Sequence, residues 1–521
     1  MTIHRRFLVC LLLAFTSFFS RGEPLALADS SIPQSNVAGQ VESRARHLMQ
    51  DLQKQGFEVT DGYAKLYTIE DCTYTFDKMG LCYGNNPAAP YVTFAVKPWP
   101  GEFVDDKSNL WGPSRHGYID IYRLDPREAI IILAQLPPPG AFFSEQTWLF
   151  THKGSIITDS QTYYNVDTLM HGFVDIFFAT VPGDDERVQS CSMLSMPNNN
   201  VVIQNQSKGS FGEIRYFIIT PDGFMNKAVR QAFAGIGVQD KDVFTEQIPS
   251  DMITGLGKDS DNFTTAVRYA EPKDGGGTGT PSSIWRKNLP LVVLRVRDTR
   301  SDRQVQPYPP LQLEQRTAVD ELGYKPDVGA LLAEVGKKWG QPCANADCSD
   351  KAATFIDVQR YPPYTVGPLC REIGEDCLLD NWDASYQFYG PLPLDNGEIY
   401  AVAGTLGTQT GNATYVGFGV NQKSRLVGVA NLSDAQLKNT AKAYQEVVNN
   451  TDKFFLYYFT RDCSGLDTLT GKNCLPISES MVPVGDYAAL SVRDYIKPGT
   501  QRGPDSQSVL PSMLLQLQRP Q

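Results

Sequence analysis

Two histidine–aspartate pairs are the first residues with the makings of chemistry: His116 with Asp120, and His171 with Asp175. A spacing of four is two full pleats of a strand, so each pair would share one sheet face. Were the two strands neighbours, two imidazoles and two carboxylates could run acid–base work or hold a metal. A polar outer sheet face produces the same pattern without any chemistry. Asp120, Glu128 and Glu145 are the carboxylates nearest the expected central strands, and any facing pair at the right separation would serve a glycoside hydrolase. Asp125 is explained by the Leu124-Asp125-Pro126-Arg127 turn.

Trp99-Pro100-Gly101 and Trp111-Gly112-Pro113 set two indoles beside turn-forming residues. A loop tryptophan offers a flat apolar face to a sugar ring, and Trp99 and Trp111 are therefore the candidate ligand contacts. The competing reading folds each indole back over a core edge. The chain has no G-x-S-x-G elbow, H-E-x-x-H, C-x-x-C or EF-hand loop. Gly465 to Asn473 comes near a phosphate loop, but its glycines are one residue too far apart and Asn473 stands where Mg²⁺ needs Ser or Thr. No cofactor and no metal is implied.

The cysteines fall into close pairs: Cys72 with Cys82, Cys343 with Cys348, Cys370 with Cys377 and Cys463 with Cys474. Each closes a short loop rich in turn formers, which favours disulfides over zinc, although a cross-pairing among the middle four is open. Cys191 is left over and reads as a small buried residue. Asn205, Asn262, Asn412, Asn431 and Asn449 open N-x-S/T sequons, acceptors for glycans if the source is eukaryotic.

These readings depend on export. His4, Arg5 and Arg6 precede an apolar run from Phe7 to Phe19, and Ala26-Leu27-Ala28 is a small-x-small cleavage site, so residues 1–28 read as a signal peptide. The run is shorter than the roughly 20 residues that span a bilayer, and no other stretch approaches that length. The expected location is secreted, or periplasmic in a bacterium. Net charge is −11 and becomes more negative once the basic leader is removed, with no Lys/Arg stripe to attract phosphate backbones. Nucleic acid is excluded as a partner on that ground.

The elements that would position these residues are mostly strands. Residues 116–122, 129–133 and 142–150 read as three consecutive strands, flanked by strands over 63–76 and 91–96. Further strands are expected at 174–181, 201–204, 214–220, 291–296, 385–389, 399–404, 414–420, 426–430, 453–460 and 513–517. Helices are expected at 37–55, 225–234 and 327–339. The clearest helix signal begins at Ser433, with Gln436 completing a capping box and Leu437, Ala441, Tyr444 and Val448 on one face. Pro307, Pro309 and Pro310 mark a linker.

The chain therefore reads as a β-rich α+β protein of two domains, each a mostly antiparallel sheet or sandwich with one or two packed helices. The expected bounds are 29–306 and 313–521, joined by 307–312. The favoured function is an exported, non-catalytic binding or surface-interaction protein, with carbohydrate as one ligand class among extracellular partners. The alternative is a secreted hydrolase using carboxylates with His116 or His171.

Overall fold

The computed structural model describes residues 34–79, 82, 86, 90–154, 187–358, 380–395 and 397–520. It is α+β and β-rich, and its sheets segregate along the chain. The first half builds one ten-stranded sheet: β1 (Glu58–Leu66), β2 (Tyr91–Val96), β3 (Glu128–Gln135), β4 (Gly140–Lys153), β5 (Arg187–Met193), β6 (Asn198–Asn199), β7 (Ile214–Thr220), β8 (Val243–Gln247), β9 (Asn262–Pro272) and β10 (Leu291–Arg297). Their spatial order is β5-β4-β9-β2-β1-β10-β3-β7-β8, with β6 on β4. Only the β7–β8 pair is parallel among these strands.

Strand β3 shows why the sheet needs cover on both faces. Ala129, Ile131 and Leu133 point to a cluster covered by the Gln34–Lys54 and Gly223–Gly235 helices, while Ile130 and Ile132 point to a second cluster with Phe143, Phe217, Phe263 and Val293. The helices supply Val41, Leu48 and Leu52, and Met225, Val229 and Phe233, at the spacing that keeps one helical face apolar. The sheet curls far enough for the main chain of Thr147 on β4 to donate to Glu246 on β8, near the opposite end of the strand order.

The second half is a sandwich of two five-stranded sheets. One contains β11 (Ala353–Thr354), β14 (Glu398–Thr405), β17 (Phe454–Thr460), β18 (Cys474–Pro476) and β20 (Met513–Gln518); the other β12 (Ile356–Asp357), β13 (Ala384–Leu392), β15 (Tyr415–Gln422), β16 (Val427–Ser433) and β19 (Ala488–Tyr495). Tyr400, Val402 and Phe455 meet Phe418, Val420 and Leu490 between the sheets. The alternate residues Ile399, Ala401, Leu456 and Tyr458 face outward, under Val328, Leu331 and Val335 of the Lys325–Lys338 helix. Residues 298–321 link the halves without helix or strand, and Pro307 and Tyr308 bridge to Asp222 and Pro249.

Several expected elements take another form. Residues 116–122 are an irregular segment with bridges only at Ile119 and Tyr122, because the Asp120 carboxylate turns inward to accept from the Leu110 and Trp111 amides and from Lys65. The strand expected over 63–76 ends at Leu66. Helix Ile69–Met79 follows, started by Asp71 accepting from the Thr68 amide and hydroxyl and burying Cys72, Thr75 and Met79 on one face. Residues 200–206 are helical rather than extended, since Asn199 caps the Val201 and Val202 amides. The expected strand over 174–181 lies outside the described residues.

The two halves meet along a polar seam. Fully buried Arg268 on β9 places Nη2 at 2.8 and 3.0 Å from the two oxygens of Asp383, and also reaches Ser144 and Gln146. Gln146 donates to Asn381, the Trp148 indole to the Asp380 carbonyl, and the Met193 amide to the Asp380 carboxylate. Phe142 and Ala270 pack against Ala384, Tyr415 and Tyr495 beside them. Removing one partner of a buried pair strands the other charge in a medium that solvates it poorly. Asp383→Ala should therefore destabilise the protein by about 3–5 kcal/mol, and adding Arg268→Met should recover part of that loss. Urea unfolding of the three variants is the test; a double variant as weak as the sum of the singles would show that the pair is not coupled.

Candidate functional site

The sequence-derived candidates do not assemble around one centre. His116 is exposed on a turn, whereas Asp120 is fully buried against Lys65 at 2.7 Å. His171 and Asp175 lie outside the described residues. Among the described residues, no three His, Cys, Asp or Glu side chains cluster as a metal site would require. Glu128 is held with Glu102 by Arg295, all three side chains having no solvent exposure.

That arginine also accounts for Trp99. The guanidinium carbons of Arg295 and Arg297 lie 5.2 and 4.5 Å from its ring centroid, and the indole is 2% exposed. Trp111 is 3% exposed, wedged between Tyr67 and Phe150 with its N–H on Thr264. The expectation that Trp99 and Trp111 present open faces to a ligand is thus corrected: both rings are consumed by cation–π and aromatic packing.

Glu145 is different, because it lies opposite a second carboxylate. Burial, reinforced by the charge of Glu246, pushes its pKa well above the ordinary range. Glu246 accepts from the Thr147 amide and hydroxyl and from Ser195, while Asn198 donates to Glu145. Burial raises the pKa of Glu246 as well, and the two buried acids stand between β4 and β8 inside the curled sheet. A carboxyl whose native pKa is raised contributes stability that is fully present below its unfolded pKa of about 4.3 and is lost as pH rises through the native value. Glu145→Gln mimics the protonated form, so its stability should fall less than the parent's as pH is raised from 5 to 9. Denaturant titrations across that range read the difference; parallel curves would rule out a raised Glu145 pKa.

The structure pairs Cys72 with Cys82, Cys343 with Cys348, and Cys463 with Cys474. Cys370 and Cys377, and the side chain of Cys191, lie outside the described residues. Of the sequon asparagines, Asn205 and Asn449 are exposed and Asn431 is half-buried, while Asn262 and Asn412 are buried.

A concave site does form, on the outer face of the second-half sandwich. Its floor is Leu456 and Tyr458 of β17. Its walls are the end of the Lys325–Lys338 helix, residues 439–444, and the loop closed by Cys463–Cys474. The volume is about 190 Å³. The wall at 439–444 exists because the helix expected from Ser433 stops after one turn, Asp434–Leu437. The capping box forms, but Asn439 adopts the left-handed region at φ 64° and Thr440 turns its hydroxyl back to the Leu437 carbonyl while accepting the Leu456 amide. A 3₁₀ turn, Lys442–Tyr444, then brings the Tyr444 ring over the cleft. On the other side, Asn473 ties the disulfide loop to the same wall by donating to the Thr440 carbonyl at 3.2 Å, and its own carbonyl accepts from Tyr458.

The polar atoms at the base of this cleft are incompletely satisfied. The buried hydroxyls of Tyr444 and Tyr458, both in the lining, approach each other, and the indole N–H of Trp339, outside the lining, approaches Tyr458; none of these contacts reaches full hydrogen-bond geometry. Trp339 and Tyr458 pack with ring centroids 5.8 Å apart, and burial raises the pKa of both tyrosines, each further perturbed by the other. The two lining hydroxyls, beside aromatic faces, can bind a hydroxylated ligand. Sequence reading missed this site because Tyr444 was assigned to an unbroken helix face. The turn-rich Gly465–Asn473 stretch was the available signal.

No protein-family model matches the chain, and no curated protein matches it. Among solved structures, an uncharacterised protein from Burkholderia cenocepacia aligns over 93% of this chain and 96% of its own at 10% identity, with a TM-score of 0.33. The tandem CBM51 modules of a family 98 glycoside hydrolase from Streptococcus pneumoniae align over 81% and 82% at 6% identity, with a TM-score of 0.13. At these scores neither likeness bears on fold or function.

Proposed function

We propose that this is an exported binding protein whose second-half cleft takes a small hydroxylated ligand, with a saccharide unit as the leading class. The observation that carries the proposal is the pair of buried hydroxyls, Tyr444 and Tyr458, that line one cleft without a hydrogen bond of full geometry. Leaving a buried hydroxyl poorly paired costs about 1–3 kcal/mol, so two together call for a partner that supplies better bonds. The volume lies below the roughly 300–1,000 Å³ of drug-sized pockets and suits a single sugar ring. Disulfides close loops at both sandwich and sheet, in keeping with an oxidising compartment. Among the described residues no helix is long and apolar enough to cross a membrane.

Tyr458→Phe separates a binding role from a structural one, because the two predict opposite outcomes. The ring and its packing stay, and an unsatisfied hydroxyl leaves the interior. The melting temperature should hold or rise while affinity for a responding oligosaccharide falls about tenfold. Calorimetric titration of parent and variant against a monosaccharide and oligosaccharide panel reads both quantities. Unchanged affinity in Tyr458→Phe would refute this cleft as the site.

A further inference from the structure

The lining of the cleft carries one charged side chain, Lys338, and no Asp or Glu. Its Nζ stands 5.9 Å from the Tyr444 ring centroid and donates one of three N–H groups to the Leu469 carbonyl at 2.8 Å. Among the described residues no carboxylate pairs with it. The nearest acid on its helix, Glu334, is taken by Lys337 at 2.6 Å. Lys338 is exposed at the rim, and its partial desolvation there lowers its pKa. In a chain of net charge −11, a cation without a carboxylate partner beside two cleft hydroxyls is a local reversal of the overall field.

We propose that the cleft selects acidic saccharides: the carboxylate of a uronic acid sits on the two remaining N–H groups of Lys338, and the ring hydroxyls meet Tyr444 and Tyr458. This rests on the binding reading above and adds the charge of the ligand to it. A carboxylate restores to Lys338 the partner it lacks, and a charge-assisted bond of this kind is roughly twice as strong as a neutral one. The negative surface elsewhere lowers the encounter rate for such a ligand, so discrimination resides in the local contact.

The test compares glucuronic acid with glucose, and galacturonic acid with galactose, by calorimetric titration of the oxidised full-length mature chain. The acid of each pair should bind about tenfold tighter or more, with an advantage that shrinks as salt is raised. Lys338→Met, or Lys338→Gln as a second neutral variant, should bring acid and neutral sugar to equal affinity. Tyr444→Phe should weaken both alike and keep their ratio. Equal binding of acid and neutral sugars by the parent, or a preference that survives in both Lys338 variants, would overturn the charge selection and leave the saccharide reading standing. No binding of any of the four sugars would overturn both.

Discussion

A guanidinium sealed inside a protein must find a counter-charge, and where it finds one decides what is joined to what. Arg268 sits on the longest partner of β4 and meets Asp383, a residue of the other half, inside a seam that excludes solvent. Its Nη2 is shared with Ser144 and Gln146, so the same contact fixes β4 against β9. Trp148, Met193 and Asn199 then reach residues 380 and 501 of the second half. With that seam in place, one face of the β12–β16 sheet is covered by the first half and the other by its partner sheet. Among the described residues, the remaining outer surface, on the β14–β17–β20 side, has one long helix to cover it.

The cleft is a consequence of that shortage. The Lys325–Lys338 helix covers Ile399, Ala401 and Leu515, but it ends beside Tyr458. A continuous helix from Ser433 to Val448 could have closed the gap. The left-handed Asn439 and the back-bonded Thr440 prevent it, and the chain instead wraps the edge of the gap with turns. The disulfide loop supplies the far wall and loses little conformational freedom in doing so, because Cys463–Cys474 already restrains it in the unfolded chain.

What could be read from sequence was what hydrophobic periodicity governs. Strands β2, β3, β7, β10, β14 and β17 alternate or run apolar, and each was legible. Strands β9 and β19 were not, although both are central, because Asn262, Thr264 and Arg268, and Ser491, Arg493 and Asp494, read as surface residues. Arg268 is buried against the second half, while Asn262 and Thr264 are buried within the first half against Thr151 and Trp111, contacts that no local pattern announces. The same cause hid the fate of residues 116–122: their polar alternation marked a segment folded around buried Asp120 instead of an exposed sheet face. Trp99 and Trp111 followed, since a tryptophan beside Gly and Pro has no local signal for the arginine or aromatic pair that will cover it.

The seam and the cleft obey one rule of polar burial and differ in how it is met. At the seam, Asp383, Asp380 and Gln146 have partners within the chain, and the result is cohesion between halves. Inside the first half, Glu246 collects three donors and Glu145 one, so the buried acids brace a curled sheet. At the cleft Tyr458 is fully buried in aromatic packing, and the hydroxyls of Tyr444 and Tyr458 lack hydrogen bonds of full geometry. Unsatisfied polar atoms in otherwise well-packed surroundings are where a fold forgoes stability. That two such hydroxyls lie beside a lysine without a carboxylate partner, on a concave surface walled by a helix break and a disulfide loop, is why binding is proposed here and not in the more heavily charged interior.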